Sequence, residues 1–152
     1  PSSLLHERIA SATDEDTWKT VAGVVLYAGS LDRIREGAKS GQIADRVDAI
    51  VADILDLAPQ AEVLMLGLLP QRDTTASEDT DLVDINTALG EVAKGHDRVS
   101  FLNSNRAPLR TPVGGLAKAY SVDRLHLNGD GYQVLGEWIR KECPALSALL
   151  FP

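Results

Sequence analysis

An α/β fold built on a parallel sheet covered by helices on both faces is the class this sequence predicts. Three observations carry it. The apolar runs at 21–29 and 62–70 are continuous rather than alternating, the pattern of strands buried on both faces. Segments of helical periodicity separate these runs, and strand–helix–strand order closes most readily into parallel pairs through right-handed crossovers. The length, 152 residues with 44% hydrophobic and 24% charged side chains, suits one compact domain. A chain of that size buries roughly 68–70% of its unfolded surface without needing a metal or disulfide staple.

The elements follow in order. In "SSLLHERIASA" (2–12), Leu4, Leu5 and Ile9 share one face of a short helix. "VAGVVLYAG" (21–29) is rich in β-branched residues and ends in Gly, which predicts a buried strand. Across 40–59, Ile43, Val47, Ile50, Val51, Ile54 and Leu55 recur at helical spacing until Pro59 stops the helix. "EVLMLGLLP" (62–70) is the second strand, followed by a polar loop at 71–80. Leu82, Ile85, Leu89 and Val92 mark a helix ending near Gly95, and "RVSFLN" (98–103) is the third strand. Residues 103–122, with Pro108, Pro112, Gly114 and Gly115, read as a long irregular loop, a feature often tied to an active site. A last helix runs from about Gly129 to Cys143, with Tyr132, Leu135 and Ile139 on one face. Three parallel strands make a thin sheet, so an apolar edge is expected to need a cover.

Charge and cysteine usage exclude several classes. A net charge of −7 without a Lys/Arg run repels phosphate backbones, so nucleic acid is not an expected partner. No apolar run reaches the length of a membrane span, and no signal peptide is visible. Cys143 is the single cysteine, so no intrachain disulfide can form and the compartment stays open. No metal-ligand spacing, Walker loop or dinucleotide fingerprint is present, so neither metal nor cofactor is expected. His6 and His96 stand isolated in sequence, and Cys143 reads as a packed, inert thiol.

Chemistry concentrates in "DRLHLNGDGY" (123–132). Asp123 precedes His126 by three residues at the entry to the last helix. That spacing lets a carboxylate bond one imidazole nitrogen and leave the other facing a cleft as general base. It equally suits an Asp capping a turn beside a surface His. Functional groups of open α/β sheets gather beyond the carboxyl ends of the strands, where 28–32, 67–73 and the loop before Asp123 meet.

The pattern resembles the SGNH (GDSL-type) hydrolases, esterases and lipases of flavodoxin-like three-layer fold. "DRLHLNGDGY" is similar to the family's D-x-x-H-L block, "VLMLGLLP" resembles its fourth strand, and "VVLYAGSLD" sits where it has a strand followed by G-x-N-D. The resemblance spans about residues 4 to 142. It implies a serine ester hydrolase acting on acyl or acetyl esters under loop 103–122, with His126 as base and Asp123 orienting it. Departures are as plain. No Gly-Asp-Ser turn exists in the sequence, and the oxyanion-hole Asn falls at Leu31, after Gly29 and Ser30, so that region is degenerate. Ser30 occupies the variable position of the block and is not expected to point at His126. The resemblance implies that the family's first strands, with the nucleophile and a Gly donor, lie outside this chain, which begins at Pro1 and corresponds to the C-terminal portion of the fold. Two functions follow from it: an ester hydrolase whose serine is supplied by another segment or partner, or a catalytically silent subunit whose sheet edge a partner chain covers. A flavodoxin-like receiver is a third class, but its acidic cluster and lysine are not recognisable.

Overall fold

The computed structural model describes residues 2–11, 15–144 and 148; the expected helix end at Ala12 and the His6 side chain lie outside the described residues. Helix α1 (Ser2–Ser11) and a single turn, α2 (Glu15–Trp18), lead into strand β1 (Gly23–Leu26). Helices α3 (Ser30–Glu36) and α4 (Ser40–Leu57) precede β2 (Glu62–Leu66); α5 (Ala76–Lys94) precedes β3 (Val99–Leu102); and α6 (Gly129–Glu142) follows the long loop. The strands are parallel in the order β1-β2-β3, with Val24 opposite Val63 and Met65 opposite Phe101.

Two cores flank the sheet, which gives three layers. Val63 and Met65 of β2 point to one face, where Ile43, Val47, Ile50 and Ile54 of α4 meet Leu82, Ile85 and Leu89 of α5. Leu64 and Leu66 point to the other, against Leu135, Trp138 and Ile139 of α6 and Leu109 and Leu116 of the loop. Alternation along a strand buried on both faces requires apolar residues at every position, as the "VLML" run has. Successive strands step in one direction across the sheet, so right-handed crossovers put α4 and α5 on the same face. Among the described residues β1 is paired on one side only, and Val25 remains 44% exposed.

Several boundaries differ from the sequence reading. The strands are shorter than 21–29 and 62–70. β1 gives way to a turn at Gly29, whose φ of 103° and 2.7 Å approach of a would-be Cβ to Ile43 both require glycine. β2 stops because the Leu68 backbone turns to the Asn86 side chain instead of a neighbouring strand. Helix α5 begins at Ala76, inside the stretch read as polar loop. A capping box explains it: the Thr75 hydroxyl accepts the Glu78 N–H at 3.2 Å, and the Glu78 carboxylate accepts the Thr75 N–H at 2.7 Å. Helix α3 was hidden by its charges, with Ile34 its only apolar residue besides Leu31. Loop 103–122 is packed, not open. It carries 3₁₀ turns at Ser104–Arg106 and Lys118–Tyr120, and Leu109 is fully buried.

Asp32, in α3, has no exposed surface and ties three elements together. It accepts the Ser2 N–H at 2.8 Å, the Ser2 hydroxyl at 2.6 Å and the Arg46 guanidinium at 2.6 Å. Burial pushes the carboxyl up, but the bonds from Ser2 and Arg46 outweigh it and hold the pKa below the ordinary value. Asp32→Asn is therefore expected to cost about 2 kcal/mol at neutral pH. A depressed folded-state pKa means the contribution is complete above the unfolded value, near 4, and lost as pH falls through the folded one. Urea unfolding should show a parent-to-variant gap that is flat from about pH 5 to 8 and closes in acid. A gap that widens in acid would refute this assignment.

Candidate functional site

The loop carrying Asp123 and His126 folds back on itself. Ser121 and Leu127 form an antiparallel bridge, and the Val122 N–H donates to the His126 carbonyl at 3.0 Å. Inside this turn the Asp123 carboxylate is saturated. One oxygen accepts the backbone N–H groups of His126 (2.8 Å) and Leu125 (2.7 Å), an Asx turn; the other lies 2.9 Å from His126 Nδ1. The His126 N–H first, then its ring, then the Leu125 N–H hold the Asp123 carboxyl far below the usual carboxylate range. An ionised carboxylate there makes Nδ1 the protonated nitrogen and leaves Nε2 as acceptor. The His126 side chain is 69% exposed.

Neighbouring segments set the position of this turn. Arg124 donates from Nε to the Arg72 carbonyl at 3.2 Å and from Nη2 to the Asp73 carbonyl at 3.3 Å. The Arg72 N–H returns a bond to the Arg124 carbonyl at 2.8 Å. On the other side, Asn128 caps α6 by accepting the Gly131 N–H at 2.9 Å. Gly131 itself is dictated by space, since a Cβ there would stand 2.4 Å from the Tyr120 carbonyl oxygen.

His126 opens onto a cleft of about 500 Å³ between the end of β1, α1 and α6. Gly29, Ser30 and Leu31 line it together with Tyr27 and Tyr132, and leucines form much of the remaining wall. The structure thus brings Asp123, His126, Gly29 and Leu31 to one place. Ser30, not expected to face His126, lines the same cleft. No residue of 103–122 lines it, so the expectation of a substrate under that loop is corrected: its leucines are spent on the second core. His96 is not isolated, as its Nε2 lies 2.7 Å from Asp48 Oδ1, away from this cleft. Burial pushes the Cys143 thiol up, which disfavours the reactive thiolate. Among the described residues no three His, Cys, Asp or Glu side chains could share a metal ion, and no helix is long and apolar enough to cross a membrane.

Four contributors to this region escaped the sequence reading. Tyr27 reads in sequence as a strand residue, and Asp32, the last residue of the Gly29–Asp32 block, gives no sign of its bonds to Ser2 and Arg46. Arg124 sits at the unspecified position of D-x-x-H. Asn86 left a legible signal: it falls on the stripe of Leu82, Ile85, Leu89 and Ala93, a polar side chain on the apolar face of α5.

The GDSL-like lipase/acylhydrolase family model matches residues 2–134. No curated protein matches the sequence. Among solved structures, a Streptococcus pneumonia protein described as a candidate platelet activating factor is similar with a TM-score of 0.79 at 23% identity, over 93% of this chain and 67% of that one. A candidate acylhydrolase from Bacteroides fragilis aligns with a TM-score of 0.72 at 18% identity, covering 93% and 68% of the two chains. A carbohydrate esterase family 3 protein from Talaromyces cellulolyticus reaches 0.65 at 15% identity, over 94% and 68%. At these identities the likeness establishes the fold: a parallel α/β sheet of the SGNH-hydrolase type, of which this chain spans about two thirds. With the family match over 2–134 it places the chain: it belongs to the GDSL-like lipase/acylhydrolase family.

Proposed function

We propose that this chain contributes the general base, His126, and its orienting carboxylate, Asp123, to a serine ester hydrolase acting on small acyl esters. The observation that carries the reading is the 2.9 Å Asp123–His126 pair at the mouth of an apolar cleft. Among the described residues the bonds of His126 run to Asp123 and Val122, which leaves Nε2 open. On this reading the serine lies outside these 152 residues, on a segment that completes the sheet beside β1, and the chain is the C-terminal portion of one family domain. The serine hydroxyl would give its proton to Nε2 as its oxygen attacks the ester carbonyl carbon. His126 would then pass that proton to the departing alcohol. A water, deprotonated by the same nitrogen, would cleave the acyl-enzyme and free the serine. Asp123 stabilises the imidazolium at each stage.

Leu31 favours a second reading, a catalytically silent accessory subunit. Its side chain offers no hydrogen-bond donor to the cleft where the family resemblance calls for an Asn. One missing oxyanion donor typically lowers turnover by about 10²–10³-fold. Intact-mass measurement of native material after a fluorophosphonate probe separates the readings. The hydrolase reading expects no adduct on residues 1–152 and one adduct, dependent on His126, on a serine of a longer or companion polypeptide. An adduct on Ser30 or Ser104 would overturn it, and no adduct anywhere would leave the silent subunit.

A further inference from the structure

We infer that the Tyr27 hydroxyl is an oxyanion donor, placed to hydrogen-bond the ester carbonyl oxygen as it gains charge in the His126 cleft and so to stand in for the donor that the Leu31 side chain lacks. The inference rests on the hydrolase reading above. It begins from the polar side chains that line the cleft: Ser2, Tyr27, Ser30, Asp32, His126 and Tyr132. Ser2 and Asp32 are committed to each other and to Arg46, and Ser30 hydrogen-bonds the Tyr27 phenol. His126 is the base. Tyr132 is 63% exposed, so water competes for its hydroxyl.

Tyr27 differs in being fixed. Its oxygen accepts the Leu69 N–H at 3.3 Å. Leu69 follows Leu68, whose N–H and carbonyl are both held by the fully buried Asn86, at 2.7 and 3.1 Å. The phenol oxygen is therefore anchored to a turn that a buried network immobilises, which is the preorganisation an oxyanion donor needs. Accepting a bond uses a lone pair and leaves the O–H proton free, and the accepted bond polarises it. Tyr27 lines the cleft, and the residue as a whole keeps 40% of its surface open. Its phenol end nonetheless sits deep among other atoms, and that loss of water pushes its pKa up, with the Leu69 N–H and Ser30 pulling it back only in part. The hydroxyl thus stays protonated at neutral pH. Leucine walls keep the surroundings apolar, where a donor is worth more than in water.

Tyr27→Phe removes one oxygen and keeps the ring, so packing is preserved. Hexanoate is the probe: its carboxylate oxygen takes the place of the oxyanion and its chain that of the acyl group, and no nucleophile is needed. Isothermal titration of residues 1–152 should give a Kd roughly 10- to 100-fold weaker for Tyr27→Phe than for the parent, the worth of one hydrogen bond to a charged acceptor. In enzyme carrying the nucleophile, the same variant should lower kcat with little change in KM. A Kd within twofold of the parent overturns the inference, as does a parent that binds no hexanoate at millimolar concentration. His126→Ala runs beside it. If that variant loses turnover while Tyr27→Phe changes nothing, the hydrolase reading stands and the Tyr27 role falls. If His126→Ala keeps full turnover, the hydrolase reading falls, whatever Tyr27 does.

Discussion

Replacing His126 by Ala is expected to lower ester turnover by the nucleophile-bearing enzyme about 10²–10⁴-fold, the range a positioned general base supplies. The expectation has a structural basis in the separation of roles within one turn. Asp123 satisfies two backbone N–H groups as well as the ring, so the turn keeps most of its bonds when the imidazole is removed. The ring is largely exposed and fills no core position. Stability should therefore stay within about 0.5 kcal/mol of the parent, as for other surface substitutions. Hydrolysis of 4-nitrophenyl esters and thermal unfolding, measured on the same preparations, check both halves. Full turnover in a folded variant would remove His126 from the chemistry. A collapse of stability would instead make the Asp123–His126 pair a structural bond.

Asn86→Ala is expected to have the largest effect on stability, about 3 kcal/mol. Asn86 is fully buried, and its side chain makes bonds of 2.7 Å to the Leu68 N–H, 3.1 Å to the Leu68 carbonyl, 3.0 Å to Ser104 Oγ and 2.9 Å to Asn105 Oδ1. Alanine leaves the Leu68 N–H without a partner, and an orphaned buried donor costs about 1–3 kcal/mol. The emptied volume adds to that, because close-packed neighbours such as Gly67 and Ser104 collapse only in part. The Leu68 carbonyl keeps the Ser104 hydroxyl, which is why the loss stops short of the full network. Urea unfolding at equilibrium reads the change, and a midpoint shift worth under 1 kcal/mol at unchanged slope would show that water or a shifted backbone replaces the amide. Since the same turn carries Leu69, a destabilised Asn86→Ala protein should also bind hexanoate less tightly.

Much of this architecture was legible along the chain. Continuous apolar runs marked β1 and β2, and the short Val99, Phe101, Leu102 group marked β3. The stripe of Ile43, Val47, Ile50 and Ile54 marked α4 because helical period is a local property. Boundaries were less legible where side chains redirect the backbone. Leu68 and Leu69 read as strand until Asn86, 18 residues away, takes up the Leu68 backbone groups. Thr75 and Glu78 did carry a readable capping box, lost in a run of polar residues.

The sequence by itself determined the α/β class, the order of its elements and the local Asp123–His126 spacing, since each depends on residues within a few positions of one another. Only the tertiary structure decided what shares the cleft. Tyr27, Ser30 and Leu31 lie nearly a hundred residues from His126; parallel pairing of β1 with β2, and the bonds from Arg124 to the Arg72 and Asp73 carbonyls beyond β2, bring them together. It also decided that loop 103–122 fills the second core, and that Asp32 is buried against Ser2 and Arg46. Burial and long-range hydrogen bonds are properties of packed surfaces, and no local pattern encodes which surface a polar side chain will meet.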